Sequence, residues 1–176
     1  MTLDGVSLVR AVLETTPTRW LNLVERLPLD LLDHAPAPSE WSALGCLRHL
    51  LATEQEVFPV RMQAFLAGQE SLAAFNPDAP VSATDALPPM ELARAFARLR
   101  GESLTVLAQV TTGDLARVAH HSELGRVTLG ELLHEWAAHD LMHTVQAERA
   151  VMQVFLPGTG PWRPYFRDHE ANAQRG

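Results

Sequence analysis

The sequence predicts an all-α fold, a four-helix bundle with long connections, and three observations carry that prediction. Runs rich in Leu, Ala, Glu and Arg alternate with proline clusters, alternating strand patterns are scarce, and the longest helical stretch opens on a recognisable cap. With 176 residues and a 47% hydrophobic composition, the chain is expected to form one domain over residues 1–176. That length buries a core without disulfides or a structural metal.

The capped stretch runs from Thr128 to Val154. Thr128 and Glu131 have the spacing of a capping box, in which each side chain satisfies an orphan amide of the first turn. Beyond it Leu132, Trp136, His139, His143, Gln146 and Ala150 recur at spacings of four and three, which places them on one core-facing seam. Side chains four apart project from the same side of a helix, so His139 and His143 can bind one metal ion through their ring nitrogens. Structurally satisfied or solvent-facing histidines are the competing reading, since buried imidazoles without a metal each need another hydrogen-bond partner.

The segment His139-Asp140-Leu141-Met142-His143 differs from the H-E-x-x-H helix of zinc proteases at its second position. Aspartate is one methylene shorter than the glutamate base, which argues against protease chemistry. His134 is rotated off the His139 face and reads as a surface residue.

The remaining elements follow in chain order. A first helix is expected from Leu3 or Ser7 to Leu27, with Leu8, Val12, Trp20, Leu23, Val24 and Leu27 facing the core and a bend or break near Thr16 caused by Pro17. Pro28 ends it, and the proline-rich connector that follows leaves His34 solvated. Ser42 is a suitable N-cap for a second helix reaching about Leu66 and ended by Gly68, with Leu44, Leu47, Leu51, Phe58, Met62 and Phe65 apolar and a kink at Pro59. His49 lies on this helix among Gly45, Cys46, Ala52, Thr53 and Glu56. Small neighbours leave room for a ligand or water, and equally for another helix.

Gln69 to Pro89 reads as a long crossing loop of the kind that borders a site. A third helix is expected from Pro89 to Val110, with Leu92, Phe96, Leu99, Leu104 or Ser103, and Leu107 inward and Arg94, Arg98 and Arg100 on a solvated face. Thr111 to Val127 is turn-rich, with a short extended piece from Ala116 to His121. Adjacent His120 and His121 point to opposite faces of such a piece, and both read as surface residues. Trp162, Tyr165 and Phe166 in the tail are expected to dock on the bundle, and the last few residues to fray.

Composition excludes some functions. The formal net charge of -7, with no basic stripe, argues against nucleic acid as a partner. Cys46 is the only cysteine, so no intramolecular disulfide forms and a reducing compartment is expected. No secretion signal or twenty-residue apolar run is visible, so no membrane partner is expected and a cytoplasmic location is.

Taken together, Trp41-Ser42, His49-Leu50, His139-x-x-x-His143, Gln146 and the Pro161-Trp162 and Tyr165 tail resemble the DinB/YfiT-like family of metal-binding four-helix bundles. Most of the chain takes part in the resemblance. It implies one histidine from the second helix and two from the last around a divalent metal, which maps onto His49, His139 and His143. Neutral imidazoles suit zinc, nickel, iron or copper, with zinc or nickel the first expectation.

Three ligands leave positions for water or substrate, the arrangement of a catalytic rather than a closed structural site. The resemblance further implies a metal-dependent enzyme, a transferase or isomerase using a low-molecular-weight thiol on a small-molecule substrate. A metal-dependent hydrolase and a non-catalytic, stress-associated metal- or ligand-binding protein are the alternatives. No catalytic residue is assigned. Asp140 and Glu56 read as proton handlers, partners of the ligands or ordinary surface charges, and Cys46 as a small buried residue or a nucleophile. Pairing into a homodimer through an exposed apolar face is also expected.

Overall fold

A computed structural model of the chain describes residues 5–74 and 87–171. Helix α1 (Gly5–Arg26) is followed by one turn, α2 (Leu29–Leu32), and then by α3 (Ala43–Glu56) and α4 (Phe58–Leu66). The last two are one helical path interrupted at Val57. Pro59 lies in the first turn of α4, where its missing amide is harmless, so the path restarts there instead of merely bending. Ser42 caps α3 by accepting from the Gly45 amide at 3.1 Å. Gly68, at a left-handed φ of 74°, closes α4 while the Gln69 amide reaches back to the Ala64 carbonyl at 2.9 Å.

Strand β1 (Ser71–Leu72), helix α5 (Pro89–Leu107), a 3-10 turn (Thr112–Ala116), strands β2 (Val118–His121) and β3 (Gly125–Thr128), helix α6 (Leu129–Gln153) and a 3-10 segment (Leu156–His169) complete the described chain. Residues 75–86 of the expected crossing loop, and the expected frayed end from 172 onward, lie outside the described residues. The capping box at Thr128 and Glu131 is present on α6. No helix among the described residues is long and apolar enough to cross a membrane.

Helix α1 packs against α5 and α6, and α3 packs against the same two. Helices α1 and α3, neighbours in sequence, therefore occupy opposite corners of the bundle. Reaching a diagonal corner needs a connection longer than an adjacent-helix turn, which accounts for the long passages from α1 to α3 and from α5 to α6.

Four expectations are corrected. Helix α1 runs unbroken through Pro17, and its buried stripe is Val9, Leu13, Thr16, Trp20 and Val24, leaving Leu8 exposed. The turn-rich passage holds more than one short extended piece. Strands β2 and β3 form a hairpin, and β1 adds to β2 in parallel, with Leu72 opposite His121. The sheet docks through Arg117, whose guanidinium donates to the Leu66 carbonyl at 3.1 Å and so caps α4. In the tail, Trp162 and Tyr165 are 65% and 80% exposed; buried Leu156 anchors the segment, and Arg149 and Gln153 donate to the His169 carbonyl at 2.9 and 2.8 Å.

The fourth correction is Arg100, which is 1% exposed at the centre of the bundle. Its guanidinium donates to both Glu54 oxygens on α3, to both Asp140 oxygens on α6 and to the Leu13 carbonyl on α1. One side chain of α5 thus ties all four corners. It also lies between two apolar clusters, 4.9 Å from the Phe96 ring of one and 5.2 Å from the Trp136 ring of the other. A buried guanidinium is tolerated only when paired and fully hydrogen-bonded, and two carboxylates supply that. Burial pulls its pKa down, but the Asp140 and Glu54 bonds and charges outweigh burial and hold it above its ordinary value.

Candidate metal centre

The packing of α3 on α6 brings His49 of α3 against His139 and His143 of α6. The three ring centroids stand 4.4 to 5.1 Å apart, and one ligand atom from each ring falls within 4.8 Å of the others. The Nε2 atoms of His49 and His139 approach to 3.0 Å. Around a tetrahedral zinc, ligand nitrogens at the usual bond length lie about 3.3 Å apart. The His49–His139 separation is close to that value.

The protonation state suits ligation as well. Burial, followed by the neighbouring His143, lowers the His49 pKa to about 4. Burial, His143, His49 and Arg100 lower His139 to about 3. Burial also lowers His143, although the Gln146 bond and the Asp140 charge partly oppose it. All three rings are neutral near pH 7, the form that donates to a metal.

The surroundings orient the rings. Gln146 Oε1 lies 2.9 Å from His143 Nδ1, so it accepts the Nδ1 proton and leaves Nε2 as the lone pair facing the cluster. Trp41 stacks at 22° on His143 with centroids 5.5 Å apart and tilts over His49 at 4.7 Å. Phe58 meets His139 edge-on at 5.0 Å and stacks on Trp136. Nδ1 of His139 is buried without a hydrogen-bond partner among the described residues, and the polar contact of this ring is made through Nε2. Donor type, spacing and neutrality together fit a divalent transition metal.

Other candidates lie elsewhere. Asp140, one residue from His139, is turned into the core and bound by Arg100, so it is neither a surface charge nor a base beside the histidines. Glu56 is exposed. Cys46 is fully buried, and burial pushes its thiol up to about 12. His34, His120 and His134 are exposed. His121 is buried in the hairpin, correcting the surface reading, and stands apart from the histidine cluster.

Sequence reasoning missed Glu54 as the second carboxylate on Arg100, because charges far apart in the chain carry no local pairing signal. It also missed Trp41 and Phe58 as the walls of the site. The Trp41-Ser42 pair preceding a helix that carries His49 was the available hint.

The solved structure of YfiT from Bacillus subtilis, described as a probable metal-dependent hydrolase with an unusual four-helix bundle topology, superimposes with a TM-score of 0.76. The match covers 88% of this chain and 90% of that one at 16% sequence identity, so the likeness is one of fold. No curated protein sequence matches the chain. The family model of the DinB superfamily matches residues 12–147, more than half of the chain, and the chain therefore belongs to the DinB superfamily.

Proposed function

We propose that His49, His139 and His143 hold one divalent transition metal and that the protein is a metal-dependent enzyme joining a low-molecular-weight thiol to a small electrophilic substrate. The observation that carries this reading is the cluster of three neutral imidazoles with ligand atoms within 4.8 Å and no fourth protein ligand grouped with them among the described residues. A bound ion of this kind acidifies a nucleophile at its open position.

The placement of the chain's own groups supports this choice of nucleophile. Asp140 is engaged by Arg100 and Glu56 is exposed, so neither is placed to take a proton from water at the histidines. A thiol needs much less help to ionise than water does, and Cys46 is too deeply buried and too weakly acidic to serve. The thiol in this reading comes from solution. His49, His139 and His143 place the reacting centre, Gln146 fixes the His143 tautomer, and Trp41 and Phe58 exclude water from the ring faces.

A metal-dependent hydrolase is the second reading, favoured by the likeness of fold to YfiT, itself described as a probable metal-dependent hydrolase. The test has two stages. Elemental mass spectrometry of untagged protein should find about one equivalent of transition metal in the parent and none in His139→Ala. The metal-loaded parent is then assayed with thiols plus electrophiles and, separately, with activated esters and amides. Turnover only with thiol supports transfer, and turnover without thiol supports hydrolysis. No turnover with metal bound leaves a non-catalytic binding protein, and absence of stoichiometric metal overturns the proposal.

A further inference from the structure

A second site, lined by neither Gln146 nor the three histidines, lies between α4, the hairpin and the start of α6. It is a cavity of about 170 Å³ whose walls include Phe65, Leu72, Leu124, Val127 and Leu132. Arg61 and His121 supply polar groups. Ligand pockets for drug-sized molecules start near ~300 Å³, so this space suits something smaller.

Two features of the polar groups point to the missing partner. Arg61 Nη2 donates to the Ala73 carbonyl at 2.9 Å and lies 3.0 Å from His121 Nε2. Neither contact is to a carboxylate, and none lies within ion-pair distance of Arg61 among the described residues. The guanidinium is half-buried, and burial lowers its pKa against the more distant charges of Glu135 and Glu123. Its charge is partly desolvated with no carboxylate in direct contact, an unfavourable arrangement for an arginine.

His121 has the complementary problem. The Glu123 and Leu124 amides point at its Nδ1 at 3.2 and 3.4 Å, while Arg61 points an N–H at its Nε2. A neutral imidazole has one lone pair and one N–H, so it cannot accept at both nitrogens. Whichever nitrogen carries the proton, one of these donors meets an N–H instead of a lone pair. With the proton on Nε2, an anionic acceptor lying beside both groups takes a bond from each and balances the charge.

The acidic residues lining the cavity do not fill this role. Glu131 is engaged in the capping box with Thr128, accepting at 2.7 Å, and Glu135 is exposed and not bonded to Arg61. We propose that the cavity binds a small carboxylate with an apolar body, its carboxylate against Arg61 and His121 and its hydrocarbon against Phe65, Leu72 and Val127. The site needs no metal. It is nevertheless close to the histidines, because Glu135 precedes His139 by one helical turn and Phe58, in contact with His139, precedes Arg61 by about one turn on α4.

The test is titration of isotope-labelled protein with hexanoate, followed by amide and methyl NMR, with hexan-1-ol and hexylammonium as controls. The expected result is saturable binding of hexanoate, with the largest shifts at Leu72, Leu124 and Val127 and little response to either control. Arg61→Met, which removes the charge, and Val127→Phe, which fills the cavity, should each weaken binding about tenfold or more. Should one variant fail to fold by circular dichroism, the other and the parent's shift map decide. Binding should persist in His139→Ala and after chelator treatment. No saturable binding, equal binding of hexan-1-ol, or insensitivity to both cavity variants overturns the proposal. Loss in His139→Ala or on chelation also overturns it, since the carboxylate would then be sitting on the histidine centre.

Discussion

The Leu13 carbonyl accepts from Arg100, at 3.2 Å, the hydrogen bond that a helix would ordinarily provide four residues on. That residue is Pro17, which has no amide proton. The proline therefore leaves a buried acceptor open inside a continuous helix, and the guanidinium that already pairs with Glu54 and Asp140 fills it. Helix α1 is joined to the polar centre of the bundle by the same feature that would otherwise weaken it.

This arrangement predicts an asymmetry in stability. Arg100→Met strands two buried carboxylates and the Leu13 carbonyl, and should lower unfolding free energy by about 3–5 kcal/mol, the usual result of breaking a buried ion pair from one side. The triple variant Glu54→Leu, Arg100→Met, Asp140→Leu removes the whole charge set and should recover most of that loss, because well-packed apolar replacements of buried ion clusters are often neutral. Urea denaturation of the three proteins measures both numbers. A single variant as stable as the parent would show that the cluster does not hold the helices.

Much of this organisation was legible locally. Ser42, Gly68 and the Thr128–Glu131 pair each act within a few residues of where they stand, and helix ends followed from them. The three histidines were legible as a set through the family pattern, with only His139 and His143 linked by their own spacing. Arg100 was misread because three arginines in one helix look like a solvated stripe, and its partners lie 46 and 40 residues away in sequence. His121 was misread for a related reason. Alternation says that His120 and His121 face opposite ways, but which of them is covered depends on β1 and α4, which are remote in the chain.

Acid should act on the histidines in a defined direction. As pH falls below the ordinary imidazole value of 6.5, the unfolded chain takes protons on His49 and His139, while the native rings resist until about 4 and about 3. The unfolded state then binds more protons, so stability is full above pH 6.5 and declines as pH falls from there toward 4. The melting temperature of chelator-treated parent should drop across this window, and more steeply than that of a His49→Ala, His139→Ala variant. Parallel slopes in the two proteins would show that these rings do not carry the effect.

Gln146 should matter to metal affinity more than to folding. Its Oε1 fixes the His143 proton on Nδ1 from a half-buried position on α6. Replacing such a partner typically weakens metal binding 10- to 100-fold. Gln146→Leu should show a loss of about that size in chelator competition, with a urea midpoint close to the parent's, whereas Gln146→Glu, still an acceptor, should retain most of the affinity. Equal affinity in the parent and in Gln146→Leu would mean that the His143 tautomer is set some other way.

Trp41 ties the last two effects together. Its ring lies over His49 and His143, and Gly45 permits the close approach, since a Cβ there would come within 3.2 Å of the Trp41 Cβ. Burial is the largest cause of the low His49 pKa, so removing the indole admits water and should raise that pKa toward 6.5, by about one unit or more in Trp41→Ala. Protons then compete with metal at higher pH. The parent should retain metal down to about pH 5, and Trp41→Ala should release it at a pH higher by a similar amount, both read by metal content after equilibration across pH. Ring-carbon NMR of His49 in the metal-free proteins measures the titration directly. An unchanged His49 titration in Trp41→Ala would assign the low pKa to the neighbouring histidines and the helix packing instead of the indole cover.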